Sequence, residues 1–427
     1  MSRISKIGFY LALFLTVFIP FREIIAHLTF GAVKFIPDIF IWSYALILAV
    51  KNRFRLRLKT YDFAFASFIL CGFISTLINS SSLLAFGLQV RSIGTMYLFF
   101  YVLRCVNFEQ KQYEIIGKVL MAVVSLLFLF VVVEFLGDKT VLFPYEWSTS
   151  IIYASNFVRT YSMMNNPNTF AFFCFVVMLF VYYNNRNQQK MIYYIFYGIV
   201  ILAILLSASR STVIVIAVFY LFILLKSIKE KEFKGFVKMA AVVVVATIVL
   251  FCLDQCKSVI WDSSDSGMAI VDRFEEVQDD EIIEHSNTNG RIFVIKKGLQ
   301  IFADHPVFGT GFGTYGSAGS RMVTPELYSE YELSHDLYAD NEYIKVIVET
   351  GVLGVLFYAV FVLSLFKSCF KDIYKMIVFI VFMFIGMFYN IFEIQSACLV
   401  VYTIFACIDN SALPKEDKNV TVSEKNI

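Results

Sequence analysis

Residues 237–253 read VKMAAVVVVATIVLFCL, and apart from Lys238 and Thr247 nothing in them asks for water. A run this apolar nearly fills the ~20 helical residues needed to cross ~30 Å of bilayer hydrocarbon. Its two flanks differ. Upstream, Lys226–Lys238 carries five lysines; downstream, a polar stretch opens at Asp254 and lasts to residue 342. A basic flank on one side and an acidic segment on the other is the signature of an oriented membrane span.

Working outward, apolar runs recur at 7–25, 32–50, 61–79, 84–103, 117–136, 169–184, 191–207, 211–226, 237–253, 343–366, 376–392 and 394–409. The 427 residues are 59% hydrophobic and 16% charged, with mean hydropathy +0.71, 47 Phe, 24 Tyr and only seven Pro. That lies far from the soluble balance of roughly half apolar and a quarter charged. The chain reads as an all-α integral membrane protein of about twelve transmembrane helices. Residues 1–253 hold spans one to nine, 254–342 one large loop, 343–409 spans ten to twelve, and 410–427 a tail. The first run follows a basic segment but leads into Pro20-Phe21-Arg22-Glu23 without a small-residue cleavage site, so it reads as a retained helix.

Twenty-three of the 36 basic residues fall in segments on one side of this layout, among them Lys51–Lys59, Lys226–Lys238 and the tail. Twelve fall on the other side, half of them in the long loop that the positive-inside rule does not score. Both termini therefore face the cytoplasm, and the 254–342 loop faces out. Basic clusters flank 191–226 and 376–409 on both sides, which demands two crossings in each. Ser207-Ala-Ser-Arg-Ser-Thr212 and Asn390–Gln395 become outer hairpin tips.

The outer loop carries 17 Asp and Glu against six Lys and Arg, so it is strongly acidic while the chain as a whole is +2. The run Asp279-Asp280-Glu281 reads as a solvated face. Within the loop, residues 291–303 place Ile292, Phe293, Ile295, Leu299, Ile301 and Phe302 on an apolar side, with Lys296, Lys297 and Gln300 opposite, as in an interfacial helix. It stops at Asp304-His305-Pro306, before Gly309-Thr-Gly-Phe-Gly313, which reads as a structural turn rather than a phosphate loop. Asn166-Pro167 is a helix-start turn ahead of the sixth span. Eight scattered Cys and four His form no zinc or disulfide pattern, no cofactor is implied, and the charge suggests no nucleic-acid partner.

Arg91 alone lies deep within a span, where insertion scales charge roughly 2.5–3.5 kcal/mol, so it requires a partner or a wet cavity. Arg210 sits at a hairpin tip and Arg291 opens the loop helix. Guanidinium groups bind phosphate oxygens bidentately, so converging Arg residues would form a diphosphate clamp. Asp336 and Asp340, four apart, would share a face if the tenth helix began early.

Three blocks stand in order: Ser207-Ala-Ser-Arg-Ser211 between two spans, Arg291 followed by IFADHPVFGTGFGTYG, and DNEYIKVIVETGVLG entering the next span. Together they resemble the superfamily of O-antigen ligases and polysaccharide polymerases over about residues 155–366. The resemblance implies a membrane glycosyltransferase at the outer face of the bacterial inner membrane, using a glycan donor and acceptor carried on undecaprenyl diphosphate. Membrane lipids, a chain-length regulator and a flippase are the further partners it suggests. Carried over by motif, Arg210 and Arg291 would hold the donor diphosphate, with Arg91 added from position and Arg159, Glu349 and His305 as weaker candidates. The ligases show His-Asn nine residues before Glu-x-Gly. Nine residues before Glu349 stands Asp340, followed by Asn341, with His335 five residues upstream. Asp340 is thus the leading proton acceptor and His335 the second candidate, and the setting is more like the polymerase branch. A ligase acting on lipid A-core, and a flippase or other secondary transporter, are the alternatives.

Overall fold

A computed structural model describes residues 3–51, 53, 58–106, 108–137, 159–164, 166–185, 188, 190–261, 290–370 and 372–411. The acidic run Asp279–Glu281, the basic Arg55 and Arg57, and the tail from 412 lie outside them. Among the described residues the protein is helical with no strand. In chain order the helices are α1 (Arg3–Leu28), α2 (Ile36–Lys51, entered through a 3-10 turn at Gly31–Phe35), α3 (Thr60–Ile78), α4 (Leu83–Val106), α5 (Gln110–Leu136), α6 (Pro167–Asn185), α7 (Met191–Leu206), α8 (Arg210–Glu230) and α9 (Lys234–Trp261). The loop helices α10 (Arg291–Asp304), α11 (Ala318–Met322) and α12 (Leu327–Glu330) follow, then α13 (Glu342–Cys369), α14 (Ile373–Ile385) and α15 (Gln395–Ser411).

Nine of these, counting Gly31–Lys51 as one, are long and apolar enough to cross a membrane; α7, α14 and the Gln395–Cys407 part of α15 are shorter apolar helices. The all-α membrane fold is therefore as the hydropathy reads, with helices at all twelve expected places. Residues 191–226 and 376–409 each form two helices, split at Ser207–Ser209 and at 386–394. Two boundaries move. Helix α9 runs on to Trp261 because 254–261 holds neither Gly nor Pro, although residues from Asp254 on were expected to leave the membrane. Helix α14 stops at Ile385 rather than near 392, because the Gly386 carbonyl is taken by Glu342 N–H (2.8 Å) and the chain turns through a 3-10 segment, Ile391–Glu393.

The centre of the bundle is α6, whose residues Phe170–Val181 are all within 3% of complete burial. Pro167 opens it, and Asn166 Oδ1 accepts from the N–H groups of Asn168 (2.8 Å) and Thr169 (3.2 Å), an N-terminal cap that satisfies two otherwise orphaned donors. At the bundle end holding the start of α3 and the end of α4, a buried Asp62 carboxylate binds Arg104 (2.5 Å) and Tyr97 (2.6 Å). At the other end the loops meet, and there the candidate site lies.

Candidate active site

The 306–316 segment is built into the membrane helices rather than laid over them. Helix α13 breaks at Gly351, whose φ of 60° and ψ of −164° leave its neighbours' backbone groups unpaired. The loop supplies the missing partners: Thr310 N–H donates to Val348 O (2.9 Å), Gly311 N–H to Glu349 O (3.0 Å), and Val352 N–H to Pro306 O (2.9 Å). Irregular backbone at membrane depth needs such protein partners, since lipid offers none. A Cβ on Gly309 would come within 2.5 Å of Glu349 and Thr350 backbone atoms, and one on Gly351 within 2.5 Å of Val307. The alternating glycines thus serve close backbone docking. Thr76 receives the Phe312 N–H (3.0 Å), and Asn79 and Ser81 donate to the carbonyls of Gly309 and Thr310, tying the loop to the end of α3. Glu349, fully buried, accepts from Tyr315 N–H (3.0 Å) and so serves this docking.

Helix α10 packs on α13 through Val294, Gly298 and Ile301, a stripe at helical spacing. Of the expected apolar side, Ile301 is buried in this contact, whereas Ile292 and Leu299 are exposed, and Gly298 lies where a Cβ would meet Ile344 at 2.5 Å. Only Gly permits so close an approach. This contact sets the start of α10, so that Arg291 Nη2 stands 3.9 Å from Asp340 Oδ2. The Arg291 guanidinium also lies 5.8 Å and 5.5 Å from the rings of Phe388 and Tyr389, and its Nε has no hydrogen-bond partner among the described residues.

Asp340 has φ 46°, a left-handed conformation that costs a non-glycine residue of order 1–3 kcal/mol and persists only when its surroundings over-determine it. They do: Ala339 N–H donates to Gly316 O (2.8 Å), and Asn341 donates to Met387 O (3.1 Å) while capping α13 by accepting from Tyr343 and Ile344. Because α13 begins only at Glu342, Asp336 and Asp340 do not share a helix face. The Asp340 side chain keeps 39% exposure, yet the protein packed around it pushes its pKa up to about 6, against the pull of Arg291 and Arg321.

The Ser207–Ser209 turn reaches the same cluster. Ser211 and Tyr389 exchange a hydroxyl hydrogen bond (3.2 Å), so the start of α8, with Arg210 as its first residue, and the start of α10 both border Tyr389. Arg159 is buried beneath this turn, donating from Nε to Ser207 O (2.9 Å) and from Nη2 to Asn168 Oδ1. Glu134 accepts from the N–H groups of Tyr161 and Ser162, anchoring the segment that carries it.

Below the cluster, Glu393 accepts from Lys345 Nζ (2.9 Å), Gln89 Nε2 (2.9 Å), Ala318 N–H (3.1 Å) and Tyr338 O–H (3.4 Å). Lys345 also binds Glu342 (3.1 Å). One carboxylate thus joins α4, α11, the 338–341 segment and α13. Burial, with Glu393 and Asp340 nearby, drives the Tyr338 pKa far up, so its hydroxyl stays a donor.

The other candidates lie apart from this cluster. Arg91 pairs with Asp38 (2.9 and 2.7 Å) beneath the Phe35 ring; it lies two residues, about 200° of helix, from the Gln89 that faces Glu393. His335 is exposed and bonded to Thr324 (3.0 Å), and His305 ends α10, 14 residues from Arg291. Among the described residues no group of three His, Cys, Asp or Glu is gathered to hold a metal ion. Sequence reading missed Tyr389, Arg321 and the Lys345–Glu393 pair. A Lys inside the 343–366 run and a Glu between the last two runs were the available signal, because a charge at or near a span needs a partner.

Residues 194–359 match the family model described as O-antigen ligase, which bears out the resemblance to the O-antigen ligase and polymerase superfamily over that stretch. No curated protein matches the chain.

Proposed function

We propose that this protein is a membrane glycosyltransferase that polymerises oligosaccharide repeat units carried on undecaprenyl diphosphate, acting at the outer face of the bacterial inner membrane. The observation that carries the reading is the facing of Arg291 and Asp340 beside Tyr389, with the Arg210 end of α8 against the same tyrosine. Arg210 and Arg291 stabilise the diphosphate as it leaves, helped by the positive ends of the two helices they open. Asp340 takes the proton of the acceptor hydroxyl as its oxygen attacks the anomeric carbon. A pKa of about 6 suits that task, since a base works best near the operating pH. Direct displacement inverts the anomeric centre. Asp340, standing where the ligases carry His, favours polymerisation.

The family description favours a second reading, transfer of the finished glycan to lipid A-core by the same residues. Lipopolysaccharide banding in a deletion strain separates the two. Loss of a polymerase leaves core bearing a single repeat unit. Loss of a ligase leaves bare core, with long glycan still on its lipid carrier, and that result would overturn the polymerase assignment.

A further inference from the structure

Helix α8 runs 21 residues from Arg210 to Glu230, so about 30 Å separates the Arg291–Asp340 cluster from a second feature at its far end. There the ends of α6, α7, α8 and α9 leave a recess of about 140 Å³ lined by Tyr182, Asn185, Tyr193, Tyr197, Lys226 and Glu230, among others. A single water needs only ~10–15 Å³, so this space accommodates a larger polar group.

Three observations define its occupant. Tyr182, Tyr193, Tyr194, Tyr197, Tyr220 and Tyr374 gather at this one level of an otherwise Phe- and Val-rich bundle, as tyrosines do near a membrane–water interface, which fits a recess at headgroup depth. The α8–α9 connection bordering it, 226–238, holds five Lys against two Glu. Lys226 Nζ donates to Tyr374 O–H (2.6 Å), and Lys238 Nζ stands over the Tyr194 ring at 5.4 Å, so two of those ammonium groups are held at the rim by aromatics. Two acids, Glu230 and Glu232, also line the recess, and Glu232 is exposed to solvent. Glu230 is 3.9 Å from Lys226 and its side chain is 54% exposed, a loose surface pair worth little. Beside the opening, Ile192, Ile195, Leu225, Phe233 and Val237 are exposed apolar side chains on which acyl chains can lie.

We propose that this recess binds the headgroup phosphate of an anionic phospholipid: the phosphate at Lys226 and Lys238, and the polar alcohol among the tyrosine hydroxyls and Asn185. Clustered lysines next to a span attract anionic headgroups in this way. The site is independent of the glycosyl-transfer reading.

The test uses the full chain in nanodiscs of phosphatidylcholine with and without phosphatidylglycerol, followed by native mass spectrometry. Wild type retains phosphatidylglycerol in preference to phosphatidylcholine. Lys226→Gln with Lys238→Gln lowers that retention by about tenfold or more, whereas Lys111→Gln, an exposed lysine on α5, leaves it unchanged. Lys226→Arg with Lys238→Arg, which keeps both charges, retains the lipid and guards against misfolding of the Gln variant. Equal retention by wild type and the Gln pair overturns the proposal, as does preferred retention of phosphatidylcholine, the mark of an aromatic cation cage. In phosphatidylcholine nanodiscs, soluble glycerol phosphate should leave the melting temperature unmoved. A shift equal to that given by phosphatidylglycerol would make this a site for a free phosphate ester and overturn the lipid assignment.

Discussion

Arg291 and Asp340 stand 3.9 Å apart, and each keeps about two-fifths of its side chain open to solvent. A buried, tightly closed pair would be a structural clip. This loose one leaves donors on Arg291 for an incoming anion while the carboxylate stays within reach of a hydroxyl. The 48 residues between them in sequence fold so that the Val294–Gly298–Ile301 stripe of α10, packed on α13, and the left-handed backbone at Asp340 bring the two tips together.

Replacement of Arg291 or Arg210 by Ala should reduce polymer formation by ~10²-fold or more, the usual effect of removing a donor to a developing oxyanion. Lys at either position should keep part of the activity, because it holds charge without the bidentate fork. Product length on gels, with protein level checked alongside, is the measurement. Normal polymer from well-expressed Arg210→Ala removes the clamp.

Asp340→Asn should abolish transfer with little change in stability, and His335→Ala should cost much less. The sign with pH follows from the base's role: the carboxylate must be deprotonated, and its pKa is raised to about 6, so the rate falls as pH drops through 6. An initial-rate profile from pH 5 to 8 on purified protein checks this. A flat acid limb argues against Asp340, and a dead His335→Ala with a live Asp340→Asn transfers the role to histidine.

Lys345→Met should destabilise the protein by roughly 3–5 kcal/mol, because it strands the Glu342 and Glu393 carboxylates in the interior. Adding Glu342→Gln and Glu393→Gln should recover much of that loss. Thermal melts in one detergent decide it; a silent Lys345→Met would mean the pair carries no weight.

Gly351→Ala and Gly309→Ala should lower the melting temperature sharply, since each Cβ would lie 2.5 Å from backbone and each φ is positive. Gly87→Ala, within α4 and with nothing inside 4 Å, should be neutral or stabilising by up to ~1 kcal/mol. Equal behaviour of the three variants would show that the loop is not seated on the broken helix.

Ser329→Cys should react with an impermeant thiol reagent in intact spheroplasts, and Lys231→Cys only after permeabilisation. The reverse labelling would turn the whole site to the cytoplasm and end the assignment to lipid-linked donors.

Hydropathy determined the membrane-embedded helical class, because transfer free energy adds up along a local window and needs no knowledge of neighbours. It also separated α7 from α8 and α14 from α15, since basic clusters on both flanks demanded even crossings. The capped start at Asn166-Pro167 and a helix from Arg291 were legible for the same local reason. Tertiary structure decided what local pattern leaves degenerate. Ile292 and Leu299 are as apolar as Val294 and Ile301, and only the close approach of α13 at Gly298 selects the stripe that is buried. Arg91 announced its need for a partner, but α2 had to pack on α4 before Asp38 became that partner. The meeting of the α8 start, Arg291, Asp340 and Tyr389 depends on α13 breaking at Gly351 and accepting the 306–311 backbone. Those hydrogen bonds join groups 38 to 46 residues apart, and no periodicity in the chain encodes them.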